Sequence, residues 1–167
     1  DGLNRGAYRG HTNYCGIYYS TTHQGNEKPT LNGFEVRGCT FKNLMGRGIA
    51  VYGSMEVVIE GNSFERIRAQ AIEIDHVSSG IVRGNYITGA ETGVMLNDAF
   101  DSIVEHNVIV NCSNGFRFLK NPFWNQAFVN RNNLIRMNRV GPGCRVGVLF
   151  SNEGMIDNVI ERNTFIE

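Results

Sequence analysis

Val82-Arg83-Gly84-Asn85-Tyr86-Ile87, followed shortly by Gly93-Val94-Met95-Leu96-Asn97, decides how this chain of 167 residues folds. The first segment reads apolar–charged–any–Asn–any–apolar. It recurs as Ile59-Glu60-Gly61-Asn62-Ser63-Phe64, Val104-Glu105-His106-Asn107-Val108-Ile109, Val129-Asn130-Arg131-Asn132-Asn133-Leu134 and Ile160-Glu161-Arg162-Asn163-Thr164-Phe165. Val36-Arg37-Gly38-Cys39-Thr40-Phe41 is an imperfect earlier copy. Counted at the Asn position, with Cys39 in its place, the steps are 23, 23, 22, 25 and 31 residues. The second segment reads small–apolar–any–apolar–any. Its copies begin at Gly48, Ala71, Gly93, Gly115 and Gly147, with a partial one at Gly16.

Both segments alternate with period two, the spacing that puts apolar side chains on one side of a strand. Each spans only three to five residues, with Gly, Asn and Ser between. Strands this short bury no apolar face alone, but stacked coils do, and stacking gives a solenoid. The expected fold is all-β: a right-handed, single-stranded parallel β-helix of about six coils. Each coil adds one strand to each sheet, about 4.8 Å above the last, and the hand follows the general crossover rule. A single domain is expected over 1–167, with a partial first coil and long loop in 1–35 and regular coils in 36–167.

Composition agrees. Ile and Val total 29 against 14 for Leu and Ala, so strand formers outnumber helix formers. Seven Leu are too few for leucine-rich repeats of similar period. The 20 Gly and 20 Asn belong to turns and ladders. Phe41, Phe64, Ile87, Ile109, Leu134 and Phe165 are expected in one inward column, and Ile49, Ile72, Val94, Phe116 and Val148 in another. Asn62, Asn85, Asn107, Asn132 and Asn163 are expected as a stacked amide ladder. Arg37, Glu60, Arg83 and Glu105 precede it with alternating sign, so stacked neighbours attract.

Sixteen basic residues balance sixteen acidic ones. Phosphate tracking needs a basic surplus, so no nucleic-acid partner is expected. No run of 18 apolar residues occurs, and no membrane partner is expected. Cys15, Cys39, Cys112 and Cys144 form no CxxC pair, which argues against a zinc ribbon. Cys112 and Cys144 each lie three residues before a strand glycine and are expected to stack, as two small buried side chains in preference to a disulfide. No metal site and no cofactor are expected; calcium on Asp75, Asp98 and Asp101 is a minor alternative. An extracellular or periplasmic compartment is favoured over the cytoplasm.

A candidate site follows from the second segment. Its inward positions are apolar, so the alternate ones face out: Tyr18 and Ser20, Ala50 and Tyr52, Glu73 and Asp75, Met95 and Asn97, Arg117 and Leu119. His76, Asp98 and Lys120 come directly after the strands. Extra residues at Thr21–Asn32, with His23, and at Lys120–Asn125, with Trp124, are expected to wall a groove floored by this column; a third insertion is expected at Met137–Cys144. Glu73 and Asp75 sit at i and i+2 on one strand, about 6.5–7 Å apart, and Asp98 lies one coil on. Carboxylates so spaced suit acid and base roles on a glycosidic bond. Alternatively, Tyr52 or His76 moves a proton at C5 of a uronic acid while Arg117 or Lys120 neutralises its carboxylate. Asn97, Trp124, Tyr18 and His23 are the remaining binding candidates.

From about Gly16 the chain resembles the pectate-lyase-like superfamily of right-handed parallel β-helices, on the repeated Gly-Asn-x-Phe/Ile blocks and Gly-Ile-x-Val strands. The resemblance implies the right hand and a choice among polysaccharide lyases, glycoside hydrolases, uronate epimerases, tailspikes and adhesins. Asp75-His76-Val77, with Asp98 one coil on, is similar to the Asp-Pro-His-Glu motif of mannuronan C5-epimerases but lacks its Pro and Glu. The Asn-Thr-Asp, Asp-Asp and Gly-His-Gly motifs of polygalacturonases do not occur. The leading expectation is a carbohydrate-active β-helix that binds, cleaves or epimerises an acidic polysaccharide, its partner. The alternative is a non-catalytic scaffold, tailspike or adhesin segment. Uncovered coil ends are further expected to continue in a longer protein or to associate end to end with another copy.

Overall fold

The computed structural model describes residues 14–20, 30–31, 33–120, 129–151 and 155–167. Every strand pairs in parallel with its equivalent one coil away, which makes a β-solenoid. A coil has four sides. The first face carries Glu35–Arg37, Val58–Glu60, Ile81–Arg83, Ile103–Glu105, Leu134–Arg136 and Val159–Glu161. The second carries Thr40–Leu44, the starts of Ser63–Asp75 and Tyr86–Asn97, then Val108–Val110, Arg139–Val140 and Thr164–Phe165. The third holds Ile17–Ser20, Ile49–Tyr52, the ends of the two long strands, Asn114–Leu119 and Val146–Phe150. A narrow fourth side is a ladder through Leu31, Met55, Ser78, Phe100, Arg131 and Ile156. Six levels stack on the first face, so the solenoid makes about five full turns.

In two middle coils the second and third faces run together as single strands of 13 and 12 residues, irregular between Ala90 and Thr92. The core fills with stacked columns. Ile17, Ile49, Ile72, Val94, Phe116 and Val148 are in register, as the sequence implies. Phe41 and Phe64 stack face to face at 4.8 Å. The small residue opening each third-face strand has a steric reason: a Cβ on Gly93 would lie 2.7 Å from the Gly115 oxygen and from Ile109 Cγ2. The glycine before the ladder Asn has a conformational one. Gly61 and Gly84 both have φ of 63°, which L side chains adopt at a cost.

The Asn ladder closes the corner between faces one and two with hydrogen bonds from level to level. The Asn85 backbone N–H and Nδ2 both donate to Asn107 Oδ1, at 3.0 and 2.9 Å, while Asn85 Nδ2 also donates to the Ile59 carbonyl. Asn62 repeats this below, and Cys39 takes the ladder position at the first level, its N–H donating to Asn62 Oδ1.

The fifth coil corrects the expected frame. Asn107 is followed in the ladder by Asn138, 31 residues on, and then by Asn163 after 25. Asn132 is exposed and its Nδ2 donates to Asp101 Oδ1 one coil below, outside the ladder. The true fifth copy is Ile135-Arg136-Met137-Asn138-Arg139-Val140, so Val140, not Leu134, joins the inward column between Ile109 and Phe165. Leu134 stands on the first face beside Ile103. Met137–Cys144 is therefore ordinary coil, not an insertion; the extra length lies between Asn107 and Asn138. The misleading Asn cluster has its own work: Asn133 builds a second ladder with Ser102 and Asn158 at the corner before the first face, and Asn130 accepts from the Ala99 N–H. The charged column extends beyond its expected members to Arg136 and Glu161, giving six alternating levels. Cys112 and Cys144 are adjacent and free, and burial pushes the Cys112 thiol up to about 12.

Replacing Asn138 by Ala strands the Asn107 N–H and amide inside the protein and should cost on the order of 3 kcal/mol. Asn132→Gly should change stability by less than about 1 kcal/mol. Urea unfolding of the two variants checks the frame, and equal losses would contradict it.

Candidate functional site

The third-face register puts Tyr18, Ala50, Glu73, Met95, Arg117 and Leu149 in one column and Ser20, Tyr52, Asp75, Asn97 and Leu119 in the next. Both point away from the apolar core, as the period-two pattern requires. They do not form an open groove floor. Glu73, Asp75 and Asn97 are 2%, 1% and 3% exposed, and Tyr52 and Met95 are also buried. Periodicity fixes which way a side chain points, not what lies over it. Tyr18 stays exposed, its ring 5.5 Å from that of Tyr52.

The buried groups form two linked clusters. In the first, the Arg47 guanidinium pairs through Nε with Glu73 Oε2, both side chains nearly excluded from water. The Tyr52 hydroxyl donates to the same carboxylate. In the second, His76 Nδ1 contacts Asp75 Oδ1, and Asp75 Oδ2 accepts from Asn97 Nδ2 at 2.8 Å. Asp98 Oδ2 lies 4.0 Å from His76 Nε2, so the imidazole stands between two carboxylates. The residues that end the strands, Gly53, His76 and Asp98, share one corner position and all have left-handed backbone, φ 70°, 53° and 50°. Two of the three do so without glycine, at about 1–2 kcal/mol each. The same left-handed backbone recurs without glycine at other corners, among them His106, Met137 and Arg162, so it belongs to the coil rather than to this cluster.

Burial governs the electrostatics. It pushes the Asp75 carboxyl well above its usual range, with the charges of Glu73 and Asp98 adding to the effect. Glu73 is raised by burial while Arg47 opposes the shift. Tyr52 is driven far above the ordinary phenol value by burial and by Glu73, so it keeps its proton. Burial lowers His76 to about 4, which leaves a neutral ring at neutral pH. The arrangement thus supplies a neutral imidazole, a protonated phenol and carboxylates raised by burial close together, the elements of acid–base chemistry.

Of the sequence-predicted residues, the structure brings together Tyr52, Glu73, Asp75, His76, Asn97 and Asp98. Arg117 follows on the next level, its Nε donating to Ser151 Oγ at 2.8 Å, and its charge reaches Glu73. Lys120 is partly buried at the corner position one level beyond Asp98. His23 and Trp124 lie outside the described residues. Among the described residues, no group of three or more His, Cys, Asp and Glu is placed to hold a metal ion. Sequence reasoning missed Arg47. Its signal was a lone charge between Gly46 and Gly48, immediately before a strand whose neighbour carries Glu73.

Residues 9–165 match the family described as right handed beta helix region. Among solved structures, the chain resembles the periplasmic alginate epimerase AlgG, with a TM-score of 0.69 and 13% identity over 92% of this chain. It spans 36% of that protein's length. Alginate lyase from Paenibacillus sp. str. FPU-7 matches at a TM-score of 0.48 and 17% identity, over 89% of this chain and 76% of that one. No curated protein matches by sequence.

The His76 shift makes a sign-definite prediction. An imidazole whose folded value lies below its unfolded 6.5 takes up its proton first in the unfolded chain, so acidification from about pH 6.5 to 4 removes stability. Asp75 and Glu73, raised on folding, act in the opposite sense, because the folded chain then takes up protons first. The comparison of wild type with His76→Gln isolates the histidine. Their difference in unfolding free energy should move against wild type by on the order of 3 kcal/mol between pH 7 and pH 4. A pH-independent difference would refute it.

Proposed function

The chain belongs to the right-handed β-helix family, and from that premise we propose that it is a carbohydrate-active member acting on a uronate-containing polysaccharide at the third-face corner. The observation that carries this reading is the cluster of Tyr52, Glu73, Asp75, His76 and Asp98, ionisable groups held out of water at the strand ends of successive coils. Burying such groups works against stability unless something else requires them. AlgG, of the same fold, is an alginate epimerase, and this supports a polyuronate as substrate class.

The chemistry suited to these residues begins with loss of the C5 proton of a uronate. His76, neutral and oriented through Nδ1 by Asp75, is the base. Tyr52, which keeps its proton, is the acid on the opposite side of the ring. Arg117 neutralises the substrate carboxylate, which makes the C5 proton more acidic. Reprotonation then inverts C5, whereas departure of the 4-oxygen gives an unsaturated end. Glu73, anchored by Arg47, holds the Tyr52 hydroxyl. A hydrolytic variant would use Glu73 and Asp75 as the carboxylate pair.

One observation favours a second reading. The same cluster is 0–7% exposed, which suits a non-catalytic scaffold, tailspike or adhesin segment stiffened by an internal polar network. A screen of polyuronates and neutral glycans separates the two. Deuterium uptake at C5 in heavy water reports epimerisation, ultraviolet absorbance of the unsaturated end reports elimination, and new reducing ends report hydrolysis. His76→Gln and Tyr52→Phe should each lower kcat by about 100-fold or more while the protein stays folded. Arg117→Ala should lower kcat as well as raise KM, because the charge it supplies both binds the carboxylate and acidifies C5. Turnover and binding absent on every glycan would leave the scaffold reading standing.

A further inference from the structure

The first face carries a feature that the site does not use. Val58, Ile81, Ile103, Leu134 and Val159 stand side by side in register on its solvent side, all partly or fully exposed. The sequence needs no apolar residue there, since the neighbouring Val36, Ile59, Val82, Val104 and Ile135 already supply this face of the core. On a five-level run the stripe is continuous, about 19 Å long. Four of its members are half-buried and Val159 is exposed, so the band offers a modest apolar contact surface.

We propose that this face docks a second copy of the chain, related by a two-fold axis that runs along the strands, so that the two solenoids lie antiparallel. The argument is charge complementarity. Beside the stripe runs the column Arg37, Glu60, Arg83, Glu105, Arg136, Glu161. With the axis between the third and fourth levels, Arg83 of one copy meets Glu105 of the other, Glu60 meets Arg136, and Arg37 meets Glu161. The stripes meet as Ile81 on Ile103 and Val58 on Leu134, while Glu35, the charged first member of the same column, meets Val159 at the edge. The exposed rim on the other side of the stripe is Gly33, Glu56, Ser79, Asp101, Asn132 and Asp157. In the same arrangement each of its acids faces an uncharged residue: Asp157 on Gly33, Glu56 on Asn132, Asp101 on Ser79. An axis along the solenoid does worse. It crosses column and rim at equal levels and sets Glu60 on Glu56, Glu105 on Asp101 and Glu161 on Asp157. A two-fold contact is isologous and closes, and the narrow stripe predicts a weak dimer.

Sedimentation equilibrium of the full chain over a concentration series at low salt tests this. A reversible monomer–dimer equilibrium is expected. Arg83→Glu should raise Kd by about tenfold or more, because the introduced carboxylate then faces Glu105 of the other copy at two symmetric places. Adding Glu105→Arg in the same chain should restore the wild-type Kd to within about threefold. Both variants carry like-charged neighbours within their own chains, so circular dichroism of each confirms that the fold survives and each controls for the other. A wild type monomeric at all concentrations overturns the proposal. So does a dimer indifferent to Arg83→Glu, the result expected of the parallel arrangement, or a loss that the second swap does not reverse.

Discussion

The whole structure depends on one constraint: every coil must satisfy its backbone and polar groups against the coil above and the coil below. A three-residue strand has no stability of its own, and its apolar side chains have no opposite sheet close in sequence. Stacking solves both problems at once, because each N–H and C=O finds a partner one level away while like side chains fall into columns. The Asn amides extend that logic to the corner. Asn107 accepts from the backbone and side chain of Asn85 and donates to Val82 and Asn138, so a turn that would leave polar groups buried and unmade is closed by the repeat itself. Successive corners therefore cannot shift independently, and the third-face corner inherits its geometry from the same stack.

This explains how much could be read in advance. The fold was legible because the ladder demands the same residue types at each level: an apolar residue, a charge, a left-handed position, an amide. Where two amide runs competed, sequence reasoning chose Asn132 over Asn138. Both follow a charged and an apolar residue within a few positions. Only the stack shows that Asn138 has Asn107 behind it and Asn163 ahead. The left-handed position also loses its glycine there, with His106, Met137 and Arg162 replacing the pattern of Gly38, Gly61 and Gly84.

The site was legible in direction and not in environment. Alternation along Ile72-Glu73-Ile74-Asp75 places both carboxylates on the side away from the core, and the register brings Asn97 and Asp98 beside them. Nothing in that alternation reports burial, which depends on parts of the chain distant in sequence. Arg47 was illegible for a related reason: it precedes its strand and meets Glu73 only through the pairing of Ala50 with Glu73 one level on. A buried arginine opposite a buried glutamate is a tertiary fact. Removing either partner leaves the other charged in a dry place, a larger penalty than the pair itself contributes. The Arg47–Glu73 pair therefore fixes Tyr52 as well as itself.

The alternating column on the first face has a consequence for how such a chain can grow. Each level is nearly interchangeable with its neighbours by shape, so the stack by itself would accept a coil gained or lost at any point. Charge does not. Excising one coil would set Arg37 beside Arg83, or Glu60 beside Glu105, whereas excising two adjacent coils leaves opposite signs in contact. The natural unit of duplication in this solenoid is a pair of coils, about 45 residues, although the visible repeat is half that.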